Sequence, residues 1–145
     1  MNRLFYENTN DESYATMFFG VYDDSCRSLR FANCGHVAPL LLRANGSRER
    51  LTSTTTVLGL FLKWESHIEE INLRPGDVLV ICTDGVTEAP NPQGEEYGEV
   101  RLAELVHTKR DLPISAIMSA IQVGVETFSV GTQADDITLI VARCH

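Results

Sequence analysis

The spacing of apolar residues predicts a strand-rich chain that ends in two helices and a last strand. Residues 13–23 are rich in aromatic and small residues on both faces, which indicates a strand covered on both sides. Residues 28–32 alternate between apolar and polar positions, as a half-buried strand does, and Asp23, Asp24 and Ser25 form a turn signal between the two segments. We therefore predict a hairpin.

Further strands are predicted at residues 39–43, 48–51, 66–73 and 78–83. The first two flank Asn45 and Gly46, which together form the strongest two-residue hairpin signal in the chain. The last two flank a turn signal at residues 74–77. The strand at 78–83 is therefore expected to run back along the strand at 66–73.

Helical patterns occur at residues 1–7, 99–107 and 114–128. The apolar stripe of the last helix, which predicts a core-facing surface, consists of Ile114, Ile117, Met118, Ile121, Val125 and Phe128. Asp111 and Pro113 lie where its N-terminal cap and first turn belong, and Gly131 lies where it would end. Residues 135–144 then alternate as a closing strand. The whole pattern indicates a single α+β domain.

The composition is that of an ordinary globular protein with an acidic balance. The formal net charge of -8 argues against a nucleic-acid groove or an anionic membrane surface as a partner, because both need clustered lysine and arginine. An acidic balance suits a site that collects cations, although most acidic proteins are simply soluble. The charge alone therefore leaves the function open.

The cysteines are Cys26, Cys34, Cys82 and Cys144. Their spacing contains no CxxC pair and no zinc-like pattern, so we interpret them as reduced, structural thiols, which favours the cytoplasm. No apolar stretch approaches the roughly 20 residues that cross a bilayer, and the first residues do not resemble a signal peptide. We expect a soluble cytoplasmic protein.

Acidic residues follow one predicted strand and precede another. Asp84 ends the strand at 78–83, and Asp135 and Asp136 begin the last strand, 51 positions later (135 − 84). Carboxylates from two strand ends can converge at one edge of a sheet, and Mg²⁺ and Mn²⁺ prefer such oxygen ligands. Gly85 would let the backbone turn sharply behind Asp84. An acid after a strand is more often a turn or a helix cap, so spacing alone does not decide.

A different hydrolytic site can be tested on the same stretch. A buried strand that ends in Asp-x-Asp-Gly marks aspartyl-phosphate hydrolases, whose first aspartate is the nucleophile. Cys82 occupies that position here, and no lysine, arginine or histidine adjoins it to lower its pKa. The nucleophile is missing, so we reject this interpretation.

The ordered segments YATMFFGVYD, LRFANCGHVAPLLL, LRPGDVLVICTDGVTEAPNPQGEEYG and QADDITLIVAR resemble the SpoIIE-type metal-dependent protein phosphatases of the type 2C (PPM) superfamily. The resemblance covers nearly the whole chain. It implies an antiparallel β-sandwich flanked by helices. It also implies a binuclear Mn²⁺ or Mg²⁺ centre that activates water against phosphoserine or phosphothreonine, with a phosphorylated regulatory protein of a bacterial signalling circuit as the substrate.

By this resemblance, Asp84 matches the metal aspartate of the Thr-Asp-Gly motif, and Asp135 matches the metal aspartate of the Asp-Asp-(Ile/Met/Gln)-Thr motif. Thr83 and Asp136 would support these ligands without binding the metal. Glu88 lies where some members place an acid near an accessory third metal ion.

The segment at residues 33–36 matches the Asn-Ala-Gly-His signature of the family, with Cys34 in place of alanine. Its role is expected to be structural: Gly35 would shape a turn, and His36 would make a packed hydrogen bond.

Two upstream acidic motifs of the family, Gly-Asp-x-Tyr-Asp and Asp-x-x-Gly-(His/Lys)-Gly, do not occur in the chain. They supply the aspartate that bridges the two metal ions. The resemblance therefore implies that residues 1–145 are one partial phosphatase domain without its N-terminal strands and helices. A sheet face left uncovered would favour a homo-oligomer. Two hypotheses remain: a serine/threonine phosphatase domain, and a catalytically inactive binding module of a partner-switching system.

Overall fold

The computed structural model describes residues 1–10, 13–130 and 135–145. The described elements are α1 (Asn2–Asn8), β1 (Met17–Asp23), β2 (Ser28–Cys34), β3 (Leu40–Leu42), β4 (Arg48–Arg50), β5 (Glu69–Asn72), β6 (Val78–Cys82), α2 (Asp84–Thr87), α3 (Gly98–Lys109), α4 (Ile114–Phe128) and β7 (Leu139–Arg143). They form two compact units. Unit 1 comprises Met1–Ala38 and Leu51–Leu73, and unit 2 comprises Pro39–Arg50 and Arg74–His145.

Unit 1 contains a three-stranded antiparallel sheet in the order β1-β2-β5. The predicted hairpin is confirmed, because β1 pairs with β2 from Met17 opposite Cys34 to Asp23 opposite Ser28. The strand begins at Met17 and not at residue 13. The central strand β2 supplies Leu29, Phe31 and Cys34 to the core.

The prediction that the first strand is covered on both sides is wrong. Phe19 is 56% exposed, Val21 46% and Tyr22 43%. β1 is also an edge strand that pairs with β2 in the order β1-β2-β5, and five of its seven residues are exposed. Aromatic composition indicates a strand, but it does not reveal whether another layer lies over it.

Helix α1 confirms the short helix predicted at the start of the chain. Asn2 is buried in it, and its side chain donates a hydrogen bond to the Phe61 carbonyl (2.9 Å) and accepts one from the Gly59 N–H (2.8 Å). The ring of Phe5 lies against Gly59, so any β-carbon there would overlap the ring. These contacts attach the helix to the loop that follows Leu58.

Unit 2 contains a four-stranded antiparallel sheet in the order β4-β3-β6-β7. The hairpin predicted around Asn45 and Gly46 is confirmed by the pairing of β3 with β4, and Gly46 has the positive φ (88°) that such a turn requires. Strand β6 lies between β3 and β7 and is buried at Val78 and Val80.

The expected pairing of the strands at 66–73 and 78–83 is wrong. β5 pairs with β2, whereas β6 pairs with β3 and β7, so the two strands belong to different sheets. The turn between them contains Asp77, whose side chain binds Arg43 and Ala44 after β3. A turn does form at residues 74–77, but the hydrogen bonds of Asp77 to the segment after β3 lead β6 to pair with β3 and not with β5.

The two main helices are confirmed, as α3 and α4. Helix α4 buries Ile117, Ile121 and Val125. Met118 is 37% exposed and does not belong to the buried stripe, because the buried surface is narrower than the pattern predicted. Helix α4 packs against strand β7 and helix α3.

The ends of α4 differ from the predicted ones. Pro113 is the residue before the helix and makes no side-chain cap, and the Asp111 side chain is 95% exposed, so the predicted aspartate cap is wrong. The helix ends at Phe128, where the Ser129 hydroxyl donates to the Val125 carbonyl at 2.9 Å. The predicted terminator Gly131 lies outside the described residues.

The closing strand is confirmed as β7, although it is shorter than residues 135–144. Arg143 on this strand donates hydrogen bonds to the carbonyls of Arg110 and Leu112, and so satisfies acceptors at the end of α3. Antiparallel sheets with helices confirm the α+β class. In the described ranges, every helix is too short or too polar to span a bilayer.

Asp77 is the charged residue buried most completely in unit 2, with 1% of its surface exposed. Its carboxylate accepts hydrogen bonds from Arg43 Nη1 (2.8 Å), the Ala44 N–H (2.9 Å) and the Arg74 N–H (2.9 Å). Burial disfavours the charge, but the bonds from Arg43 and from the two N–H groups outweigh burial, so the pKa of Asp77 is lowered. A group with a depressed folded-state pKa stabilises the fold above its unfolded pKa and loses this effect as the pH falls.

We therefore expect Asp77→Asn to lower the free energy of unfolding at pH 7 by about 3 kcal/mol, the lower end of the range for a broken buried pair, because Arg43 retains Glu49. Urea denaturation of both proteins at pH 7 and at pH 3 measures this loss in the free energy of unfolding. The difference between the two proteins should shrink at pH 3, below the unfolded pKa of about 3.9. Asp111→Asn, at an exposed carboxylate, is the control and should change little. Equal stability of Asp77→Asn and the unmodified chain at pH 7 would contradict the assignment.

Candidate metal centre

Asp84 lies where strand β6 ends and helix α2 begins. The strand is buried up to Cys82, and after Thr83 the chain enters a four-residue helical turn that the sequence did not predict. The Asp84 side chain is exposed, and its Oδ1 accepts a hydrogen bond from the Gly85 N–H at 3.0 Å. The Gly85 N–H thus orients one carboxylate oxygen of Asp84, and the side chain faces solvent at the end of the strand.

Asp135 and Asp136 lie just before strand β7, and both are exposed. Asp135 Oδ1 accepts a hydrogen bond from the Asp136 N–H at 2.7 Å. Cys82 pairs with Leu139 at the last step of the antiparallel ladder, so the end of β6 meets the beginning of β7. The acids that the sequence placed at two strand ends therefore belong to one edge of the sheet.

Gly85 is required because the two segments touch. A β-carbon on Gly85 would lie 2.5 Å from the carbonyl oxygen of Asp136, closer than real contacts allow, and 3.3 Å from that of Asp135, which is tight. Gly85 is not among the glycines with positive φ. Close approach of the backbone, and not the expected sharp turn, explains the glycine.

The remaining residues of the predicted site are adjacent to these two segments. The Thr83 hydroxyl bonds to the backbone of residues 136 and 138. Glu88 is exposed at the end of α2, where its N–H donates to the Asp84 carbonyl at 2.7 Å.

Cys82 is buried beneath this edge, with 5% of its surface exposed. Burial, and then the negative charges of Glu99 and Asp84, raise its pKa to about 11. The thiol is therefore protonated at neutral pH, and a protonated thiol is a weak nucleophile. This agrees with the rejection of a covalent mechanism at this position.

The donor set suits a hydrated hard cation. Carboxylate oxygens are the ligands that Mg²⁺ and Mn²⁺ prefer, and these ions keep several waters when few protein ligands are available. Within residues 1–10, 13–130 and 135–145, no three His, Cys, Asp or Glu side chains converge as a metal site. Asp84 and Asp135 offer carboxylate oxygens of the kind that such an ion takes.

The segment at residues 33–36 belongs to unit 1. Gly35 has a φ of 70°, and a β-carbon there would lie 2.5 Å from Val57 Cγ1. His36 is half-buried, and its Nδ1 lies 3.5 Å from Thr16 Oγ1. Both the positive φ and the close Val57 side chain therefore require a glycine at position 35.

Asn33 makes structural contacts in this segment that the sequence interpretation did not specify. It is fully buried, and its side chain accepts from the His36 N–H (2.9 Å) and donates to the carbonyls of Leu51 (2.9 Å) and His36 (3.2 Å). A polar side chain near the end of β2, two residues before a glycine, was the available signal.

We expect Gly85→Ala to lower the free energy of unfolding by about 1–3 kcal/mol, because the added methyl group overpacks the contact with Asp136. Amide resonances of residues 136–138 should shift with it. Gly94→Ala is the matched control: nothing lies within 4 Å of its β-carbon and its φ is 80°, so it should cost about 1 kcal/mol of backbone strain alone. Unshifted resonances in Gly85→Ala would contradict the close contact.

The cysteines provide a further test. Cys26 is exposed, whereas Cys34, Cys82 and Cys144 are buried, and none of the four forms a disulfide among the described residues. A disulfide reagent at pH 8 should therefore modify one thiol per folded chain and four after denaturation. Cys26→Ser should abolish the reaction of the folded protein. Rapid modification of Cys82 in that variant would refute the buried, protonated thiol.

Comparison with known proteins places these features in a family. The whole chain, residues 1–145, matches the sequence model of the family Stage II sporulation protein E (SpoIIE). Protein IcfG of Synechocystis sp. is 33% identical over 127 residues, which are 88% of this chain and 20% of IcfG. The SiaA-PP2C domain of Pseudomonas aeruginosa has a TM-score of 0.81 at 19% identity, over 92% of this chain and 53% of that domain.

A second solved structure is the catalytic domain of the serine threonine protein phosphatase PstP in complex with two manganese ions. It has a TM-score of 0.69 at 16% identity, over 98% of this chain and 66% of its own. This chain thus spans a fifth of IcfG and about half of the SiaA domain. At these identities the structural matches show the fold alone. With the match along its entire length, the chain belongs to the SpoIIE family, and it has the fold of PP2C phosphatase domains.

Proposed function

We propose that this chain contributes to a metal-dependent serine/threonine phosphatase centre, with Asp84 and Asp135 as ligands of Mn²⁺ or Mg²⁺. The observation that carries the proposal is the contact between Gly85 and the Asp135–Asp136 backbone, which brings two carboxylate-bearing segments to one edge. Membership of the SpoIIE family supports the phosphatase class. The manganese ions named with PstP support the choice of metal.

Each residue has a separate part in this proposal. Asp84 and Asp135 offer oxygen ligands, and one oxygen of each is already oriented by a neighbouring N–H. The bound cations would supply a water of lowered pKa and would neutralise charge on the phosphoryl oxygens. Asp136 contributes its backbone to the contact with Gly85, and Glu88 remains a candidate ligand for an accessory ion. No side chain of the chain is needed as a covalent nucleophile, in agreement with the protonated Cys82.

The substrate class that we propose is a phosphorylated regulatory protein. The support is family membership together with PstP, which is a protein phosphatase acting on serine and threonine. We propose the cytoplasm as the compartment, which suits four cysteines that form no disulfide among the described residues.

A second candidate is a binding module without catalytic activity. The observation that favours it is the small donor set: among the described residues, fewer than three metal-ligating side chains converge. In two-metal hydrolysis, ions roughly 3.5–4 Å apart clamp the attacking and leaving oxygens, and the motif to which the resemblance assigns the bridging aspartate does not occur in the chain. Metal binding and turnover must therefore be measured separately.

We expect Asp84→Asn and Asp135→Asn each to weaken Mn²⁺ binding at least about tenfold, because an amide replaces a charged ligand. Electron paramagnetic resonance of free Mn²⁺ measures the binding, and circular dichroism checks that each variant is folded. Asp111→Asn, which removes an exposed carboxylate elsewhere, should bind Mn²⁺ as the unmodified chain does. Unchanged affinity in both site variants would eliminate the proposed ligands.

The same proteins decide between the two candidates. Mn²⁺-dependent hydrolysis of p-nitrophenyl phosphate and of a phosphoserine peptide, lost in Asp84→Asn, is the result expected of a phosphatase centre. Mn²⁺ binding without turnover by the unmodified, folded chain would favour the binding module.

A further inference from the structure

Thr83 occupies the cap position of helix α2 but does not cap it. Its backbone is extended there (φ -78°, ψ 165°), and its side chain makes no hydrogen bond to the helix. A threonine at this position ordinarily accepts a hydrogen bond from an N–H of the first helical turn. Here the hydroxyl instead reaches the neighbouring strand: it donates to the Asp136 carbonyl (3.0 Å) and accepts from the Thr138 N–H (2.9 Å).

The strand register explains this arrangement. Cys82 opposite Leu139 is the last pair of the β6–β7 ladder, so Thr83 and Thr138 would form the next one. Half of that pair exists, because the Thr83 N–H donates to the Thr138 carbonyl at 3.1 Å. The other half would need the Thr83 carbonyl as the acceptor of the Thr138 N–H. That carbonyl instead accepts from the Val86 N–H at 3.1 Å, within α2.

The Thr83 hydroxyl therefore takes the place of a main-chain acceptor. It lets the chain leave the sheet and enter α2 immediately, while the partner strand stays attached one residue further. Without a hydroxyl, the Thr138 N–H would lose its acceptor and the Asp136 carbonyl would lose a donor. Each unmade bond of this kind costs about 1 kcal/mol or more where water cannot replace it.

The hydrogen bonds of the Thr83 hydroxyl lie next to both candidate ligands in the chain. Asp84 follows Thr83 directly, and the next residue, Gly85, touches the Asp136 carbonyl to which the Thr83 hydroxyl is bonded. Asp135 precedes Asp136. The Asp136 carbonyl oxygen is thus contacted by Thr83 and Gly85, the residues before and after Asp84. Asp136 itself follows Asp135, the second candidate ligand.

We propose that Thr83 is a positioning residue, whose hydroxyl sets the separation between the backbones of Asp84 and Asp135 and thereby the affinity of the site for its cation. The inference rests on the proposed function, since it concerns the same ligands. It differs from a general contribution to stability in one respect: metal affinity should depend on the hydroxyl and not on the methyl group of Thr83.

Paired substitutions test the hydroxyl. Thr83→Val keeps the shape and removes the donor and acceptor, whereas Thr83→Ser keeps both. We expect Thr83→Val to weaken Mn²⁺ binding about 10–100-fold, the range for residues that orient metal ligands, and Thr83→Ser to bind within about threefold of the unmodified chain. Thr108→Val is the matched control, because the Thr108 hydroxyl bonds to the Glu104 carbonyl within α3. In metal-free protein, exchange of the Thr138 amide should be faster in Thr83→Val only.

The outcomes separate this inference from the proposed function. If Asp84→Asn loses Mn²⁺ and Thr83→Val retains it, the positioning role is refuted and the ligands stand. If the folded, unmodified chain does not bind Mn²⁺, the proposed function fails and the positioning role fails with it. A tenfold loss in Thr83→Ser would also overturn the inference, and this variant decides the matter if Thr83→Val does not fold.

Discussion

The antiparallel pairing of β6 with β7 is the constraint on which the candidate centre depends. Strand β6 is held between β3 and β7, and it pairs with β7 from Val78 opposite Arg143 to Cys82 opposite Leu139. Antiparallel pairing then brings the end of one strand to the beginning of the other. Asp84 and Asp135 become neighbours in space because the ladder ends at Cys82 and Leu139.

Polar side chains replace main-chain groups as hydrogen-bond partners where the strands of both sheets begin and end. Asn33 binds backbone groups beyond the end of β2, and Asp77 binds the N–H groups of Ala44 and Arg74 before β6. Thr83 does the same after β6. Buried backbone groups need partners, and a chain that leaves a sheet abruptly cannot supply all of them itself. The sharp exits that shape both units therefore depend on particular side chains.

The chemistry of the β6 edge follows from the same geometry. The strand is apolar and buried until its last residue, so the Cys82 thiol remains protonated, while the next acidic side chain reaches solvent. A water nucleophile bound near carboxylates suits such an edge better than a covalent one. Family membership supports the proposed phosphatase chemistry.

The sequence by itself determined the local features: the hairpin signals, the two main helices, the closing strand, and the acids at two strand ends. These follow from periodicity and turn chemistry, which act over a few residues. Only the tertiary structure decided that β1 is an exposed edge, that β5 and β6 belong to different sheets, and that Met118 lies outside the core. It also showed that Gly85 is a glycine because the backbone of Asp136 lies against it, and that the Thr83 hydroxyl bonds to the backbone of residues 136 and 138. Each of these depends on a contact between residues far apart in the chain, and local patterns carry no information about which distant group will be the partner.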